Sequence, residues 1–271
     1  MASLGASLNP FQPSMMLGRS RYGNLSAFGL PILTMCLSLL AWEAASLILE
    51  IPTYLVPRPS EFLLRLGTSF PEIAYQGWAT AQVILLSFLL SGIIGVLLAY
   101  LLVTWESLER GVYPLLVFLQ IIPKTIAAPV FLVWFGIGTM PKLLLTTLIT
   151  FFPILVDSVA GFRSVDPRLY YLSKSMGASR WQTFRDIQFP AALPHIFSGF
   201  KIASVYAVTA VITVEFIGSR DGLGNLMIRA SNFTDMTLMF AAIIATALLG
   251  LAFSLAISSI ESLVMPWMKY R

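Results

Sequence analysis

The stretch SVDPRLYYLSKSMGASRWQTFRDIQFP, residues 164–190, decides how this chain is read. It carries Asp166, Arg168, Lys174, Arg180, Arg185 and Asp186 in a protein of which only 11% of residues are charged. Local signals divide it into two short helices. Asp166 predicts an N-cap, with Pro167 at the first helical position. Leu169, Leu172 and Met176 follow on one face, and Gly177 supplies the stop. Ser179 and Gln182 make the S-x-x-Q pattern of a capping box that opens a second helix. Trp181, Phe184 and Ile187 line one side of that helix, while Arg180 and Arg185 point elsewhere. Pro190 and Pro194 are expected to end the unit. The pattern is a helix–turn–helix with an apolar ridge and a basic flank.

Working outward, the insert is bounded by apolar chain. Of 271 residues 57% are apolar, and mean hydropathy is +0.82. Soluble domains run at about 45–50%. Six runs are long enough to cross the roughly 30 Å of hydrocarbon that about 20 helical residues span: 25–49, 79–103, 111–135, 143–162, 196–218 and 236–260. None alternates as a membrane β-strand would, so the fold class is all-α integral membrane protein with six transmembrane helices. The first run has no small-residue cleavage site behind it and reads as a retained span. Ser87, Ser91, Gly95 and Ala99, four apart in the second run, predict a ridge where another helix backbone approaches closely. Pro114, Pro123 and Pro129 predict a broken or bent third span. After Pro52, Pro57 and Pro59, Ser60 predicts the N-cap of a short helix through residue 70, with Phe62, Leu63 and Leu66 on one face.

Charge sets orientation. With a cytoplasmic N-terminus, one side holds Arg19, Arg21, Arg110, Arg163, Arg168, Lys174, Arg180, Arg185, Lys201, Lys269 and Arg271. The other holds Arg58, Arg65, Lys142, Arg220 and Arg229. The bias places both termini and the 163–194 loop in the cytoplasm. A hairpin clamped between two membrane spans is poorly placed for nucleic acid and well placed for a partner that pushes or pulls on those spans. The single cysteine, Cys36, excludes an internal disulfide or Cys-rich metal site.

The hairpin resembles the cytoplasmic "EAA" loop of permease subunits of ATP-binding-cassette importers, E-A-A-x3-G-x9-I-x-L-P. Gly177, Ile187 and Pro190 match its glycine, isoleucine and proline; Phe189 replaces the leucine, and Tyr171, Leu172 and Ser173 stand in place of Glu-Ala-Ala. PVFLVWFGIG (129–138), KSMGASRWQTFRDIQFPAALP (174–194) and GLGNLM (222–227) are similar to the nitrate/sulfonate/taurine branch. The likeness runs from about residue 82 to the end. It implies the type I importer permease fold: a cytoplasmic tail over 1–24, then one permease domain over 25–271 with its coupling loop at 163–194. It implies an inner-membrane pore subunit paired with a second copy or a paralogue, two separate ATPases and an external solute-binding protein. Tyr171, Leu172, Ser173, Met176, Gly177, Ala178, Ser179, Ile187 and Pro190 would then contact the ATPase. The chain has no G-x-x-x-x-G-K-[ST] phosphate loop, so ATP and magnesium would sit on that partner. The solute implied is a small anion such as nitrate, bicarbonate, a sulfonate or taurine, or a heteroaromatic vitamin precursor.

Candidate pathway residues are Lys124, Phe131, Trp134, Asp157 and Glu215. Lys124, in QIIPKTIAAP, either attracts an anion or forms a structural ion pair with Asp157 or Glu215, and the pair is the expectation. Glu215 could face the pathway or pair with Lys124 or Arg220. Asp157 is expected to be a structural partner, and Glu43 to face a helix or snorkel. Phe131, Trp134 and Phe135 read as an aromatic belt ahead of a ligand cavity. His195 reads as a loop residue at the start of span five. The segment 219–235 is too weak for a phosphate loop, and by resemblance lies re-entrant or at the surface near the binding-protein contact. The competing reading is a self-contained ion-coupled secondary transporter or channel. It calls for paired intramembrane carboxylates and an internal repeat, and neither is present in the sequence. A membrane enzyme would need a nucleophile–base pair or metal cluster, which one His and one Cys do not supply.

Overall fold

A computed structural model describes the backbone of residues 24–267 and the side chains of 29–267. The N-terminal tail, and Arg19, Arg21, Lys269 and Arg271 of the charge count, lie outside the described residues. The chain divides at residue 50. The first unit contains α1 (Asn24–Ile48), predominantly apolar with one charged residue, Glu43, and with Cys36 exposed on it. Residues 51–271 make up the second unit.

Helix α2 (Pro59–Thr68) opens at Pro59, not after Ser60: Arg58 is its N-cap, and its N–H reaches the Glu61 carboxylate at 3.2 Å. The proline ring presets φ for the first helical position, which moves the start upstream of Ser60. Phe62 is buried and stacks on Phe240 at 6.0 Å, and Leu66 joins the core. Leu63, about 100° around the helix from Phe62, is instead 51% exposed.

Helix α3 (Phe70–Thr104) has 35 residues, roughly 50 Å. Its Ser87–Ser91–Gly95–Ala99 ridge is buried against α6 (Thr139–Arg163). Thr150 donates to Ser91 at 2.9 Å across this contact, and a Cβ on Gly95 would stand 3.0 Å from Ile154. The small-residue ridge therefore does what its spacing predicted.

The third span is broken. Helix α4 (Glu106–Ile121), a 3-10 turn (Lys124–Ala127) and α5 (Ala128–Phe135) meet with an 85° bend. Ile122 is extended (φ −70°, ψ 124°), as the residue before Pro123 must be to clear the proline ring. Pro114 stays within α4, and Pro129 sits in the first turn of α5, where its missing N–H costs nothing.

Helices α7 (Pro167–Ser175) and α8 (Arg180–Thr183) form the hairpin; a π-helical turn (Phe184–Gln188) runs directly into α9 (Phe189–Gly218). Pro190 and Pro194 thus do not end the unit. Pro190 falls in the first turn of α9 and Pro194 inside it. The N–H of Phe189 reaches back to Phe184, and this wider turn relieves the clash an α-helical proline ring makes with the carbonyl four residues earlier. His195 accordingly lies within α9, exposed, rather than in a loop. Helices α10 (Leu223–Asn232) and α11 (Met236–Val264) complete the chain.

Among the described residues, five helices or continuous helical stretches are individually long and apolar enough to span a membrane, and the bent α4–α5 pair makes the sixth if it counts as one span. Packing centres on α3, α6 and α9. At the hairpin end, Leu102, Leu155, Phe162, Ala192 and Ile196 form one core; at the opposite end Ile73, Leu223, Leu226 and Leu238 form another.

Candidate functional site

The hairpin is specified almost entirely by local hydrogen bonds. The N–H of Arg168 donates to Asp166 Oδ1 at 2.8 Å, capping α7. At its other end Gly177 N–H reaches Lys174 O (3.1 Å) and Ala178 N–H reaches Ser173 O (3.0 Å), the paired bonds of a Schellman turn. Gly177 has φ +75°, which L side chains rarely adopt. Ser179 and Gln182 then close a reciprocal capping box: Ser179 N–H to Gln182 Oε1 at 2.7 Å, and Gln182 N–H to Ser179 Oγ at 3.2 Å. Between the arms, Ser173 and Thr183 hydroxyls meet at 3.2 Å. Phe184 anchors the unit, packing on Tyr100 with ring centroids 4.4 Å apart and on Phe162 at 6.3 Å.

This rigid turn displays apolar side chains to solvent. Tyr171 is 76% exposed, Met176 78%, Leu172 56% and Trp181 66%. A groove of about 350 Å³ runs along Leu172 and Met176, lined also by Ser173, Gly177, Ala178, Gln182, Thr183, Asp186 and Ile187. Of the sequence-predicted contact set, Leu172, Ser173, Met176, Gly177, Ala178 and Ile187 converge there; Tyr171 stands beside it, Ser179 caps α8, and Pro190 belongs to the root of α9.

The pathway candidates are placed differently from the expectation. Lys124 pairs with neither Asp157 nor Glu215. It sits in the bend, donates to Gln120 O at 3.3 Å and lies 4.5 Å from the centroid of the Phe152 ring. Pro123 sends the chain through a tight turn there, so the lysine is satisfied by a backbone carbonyl and an aromatic face rather than by an acid. Asp157 is half-buried against Gly199 and makes no ion pair among the described residues. Phe131 packs on Ala128, Leu145 and Val214, while Trp134 is 70% and Phe135 48% exposed, as in an outward-facing aromatic cluster.

Glu215 is the residue most changed by the structure. It does not meet Lys124 or Arg220. It is 1% exposed, 3.8 Å from Lys142 Nζ, and accepts from Thr80 (3.1 Å to each oxygen) and from Gly224 N–H (2.9 Å). Lys142, counted as a loop cation in the sequence, lies inside the first turn of α6 because the helix begins at Thr139. It is itself 1% exposed and reaches Asp221 Oδ1 at 2.8 Å. Thr80 also accepts from Leu223 N–H, and Gln76 from Gly222 N–H. The GLGNLM segment is therefore a buried clasp around one carboxylate, with one face of α10 in the core rather than at the surface. Gly222 has φ +112°, and a Cβ there would lie 2.1 Å from Glu215 Oε1. The two glycines of G-L-G were the available signal; what they make room for was not legible.

Comparison with known proteins agrees with this architecture. Residues 91–270 match the family described as binding-protein-dependent transport system inner membrane component. The chain is 34% identical over 240 residues to the formylaminopyrimidine transport permease protein ThiX of Halalkalibacterium halodurans, covering 88% of this chain and 96% of that protein. It is 33% identical to the riboflavin transport system permease protein RibX of Chloroflexus aurantiacus (89% and 90% covered), and 26% identical to the taurine transport system permease protein TauC of Escherichia coli (83% and 84%). A chain of the inward-facing MetNI methionine ABC transporter shares the fold, with TM-score 0.62 at 20% identity over 73% of this chain and 98% of that one. A hairpin-bearing, multi-pass helical protein with these relatives belongs to the binding-protein-dependent inner membrane components, the permease subunits of ABC importers.

Proposed function

We propose that the groove on the hairpin is where the ATPase subunit docks, and that two copies of this chain with two ATPases form the transporter, both termini lying in the cytoplasm. ATP and magnesium belong to the ATPase; movement of that subunit is passed through α8 and the π-helical turn into α9, which are one uninterrupted helical path from Arg180 to Gly218. The observation carrying this reading is the cluster of exposed Leu172, Met176 and Trp181 on a turn held by complete caps at both arms. A surface so apolar and so rigid is suited to a partner. The solute falls in the range named for the relatives, a small sulfonate-like anion or a heteroaromatic vitamin precursor, delivered by an external binding protein. Lys124 over Phe152 offers such a molecule a cation beside a ring at the bend of the third span.

The test is co-purification of the detergent-solubilised chain with its ATPase. Leu172→Glu changes an exposed side chain and should leave the membrane-inserted fold intact while abolishing ATPase recovery. Gly177→Val, which forces a β-branched residue to φ +75°, should do the same by opening the turn. Wild-type chain that recovers no ATPase, or Leu172→Glu chain that recovers it in full, overturns the docking assignment.

A further inference from the structure

Behind the hairpin, on the face away from the groove, lies a second cavity of about 850 Å³. Helical spacing separates the two. On α7, Tyr170 and Lys174, one turn apart, line the cavity, whereas Leu172 and Met176 line the groove. On the second arm Arg180 faces the cavity, and Gln182 and Asp186 the groove. Ser173, Ala178 and Thr183 border both, so the Ser173–Thr183 contact is the partition between them. Tyr100, Val103 and Phe162 supply apolar wall, and Trp105, 57% exposed, stands beside them.

The cavity is lined by two cations and no carboxylate. The acids nearest its lining in sequence are engaged elsewhere: Glu106 with Arg110, Glu109 with Arg163, Asp186 beside Arg185, and Asp166 as the cap of α7. Lys174 and Arg180 make no ion pair among the described residues, which leaves uncompensated positive charge around a space large enough for an organic ligand. Burial pushes the Tyr170 phenol above its ordinary range, against the opposing effect of Gln188, so it stays a hydrogen-bond donor. Helix α3, at roughly 50 Å, outreaches the roughly 30 Å hydrocarbon layer. The second apolar run read from the sequence ends at Val103, which lines the cavity, so that reading puts the cavity at the membrane–water boundary.

We propose that this cavity binds a phosphate-bearing ligand, with Lys174 and Arg180 on the phosphate and Tyr100, Phe162 and Trp105 against its apolar part. An anionic phospholipid headgroup and a phosphorylated solute share that chemistry, and both are available at this boundary. Binding itself does not depend on what occupies the groove. Only its consequence, bracing the partition and hence the groove, rests on the docking reading above.

The test uses the full chain in nanodiscs. In one arm, native mass spectrometry counts phosphatidylglycerol retained from mixed phosphatidylcholine–phosphatidylglycerol discs. In the other, adenosine monophosphate and inorganic phosphate are titrated into pure phosphatidylcholine discs and the thermal midpoint is followed. Binding should weaken roughly fivefold for either Lys174→Ala or Arg180→Ala and about 25-fold for both, since each cation near the surface contributes about a fivefold factor. Lys174→Arg should retain it. Arg185→Ala, exposed and off the cavity, should leave it unchanged. Retained lipid assigns the lipid source; a shift with adenosine monophosphate or phosphate alone assigns the solute source. Binding in neither arm, or equal losses for Arg185→Ala and the cavity variants, overturns the proposal.

Discussion

Glu215 shows how one residue can organise a distant segment. Its carboxylate is removed from water, and that is tolerable only because Lys142, Thr80 and Gly224 N–H surround it. Lys142 in turn is held between Glu215 and the half-exposed Asp221. Breaking such a pair from one side leaves a buried charge without its counter-charge. Lys142→Met should therefore lower stability by about 3–5 kcal/mol, read as a fall in the denaturation midpoint in detergent. The double variant Lys142→Met, Glu215→Gln should recover most of that loss, because no net charge is then buried. Equal midpoints for the single and double variants would show that the pair is not what Lys142 provides.

At the scale of helices, α6 and α9 approach closely. A Cβ on Gly199 would lie 3.1 Å from Ile154 Cα and Pro153 O, and one on Gly161 2.9 Å from Ala192 O. Backbone cannot retreat as a side chain can, so Gly199→Leu must push the helices apart. Its expected outcome is loss of monodisperse protein on size-exclusion chromatography, with Gly67→Ala as an unaffected control where nothing lies within 4 Å. The α10–α11 junction carries the opposite opportunity. Thr234 has φ +60° at the turn where Asp235 N–H reaches back to Ala230 O. A β-branched residue is strained there, so Thr234→Gly should raise stability by about 1 kcal/mol in the same unfolding assay. Asp235 next to it caps α11 through Leu238 N–H and pairs with Arg65 of α2 at 2.8 Å, so the turn has reason to stay where it is.

For the whole molecule, α9 is two-faced: Ala203, Ala207, Ala210 and Val214 are fully buried, while Ile202, Val205, Tyr206 and Thr209 face outward. If two permease chains line a pathway between them, this outward face is a candidate for the contact between copies. Cys36 is the chain's single cysteine, so Cys36→Ser, Thr209→Cys carries one reporter. Oxidation in membranes should then yield a disulfide-linked dimer on non-reducing gels. Preparations that contain the ATPase yet give no cross-link would exclude this face.

The amino-acid sequence by itself determined the apolar spans, a break in the proline-bearing third span and the two capped arms about Gly177; the break and the caps depend on side chains and backbone groups within about five residues of one another. Its reading failed where a short-range rule met a longer helix: a π-helical turn leads into Pro190 in the first turn of α9, and Pro194 is carried inside that helix, which also moves His195 out of a loop. It could not identify the buried partners of Glu215. Thr80 lies 135 residues away, and Asp221 is 79 residues from the lysine that links them. Charge and apparent position in a loop made Lys142 look like surface. Only the packing of α3, α6 and α9 decided that Lys142 is buried, that Lys124 rests on Phe152, and that Gly222 is small because a carboxylate occupies the place of its side chain.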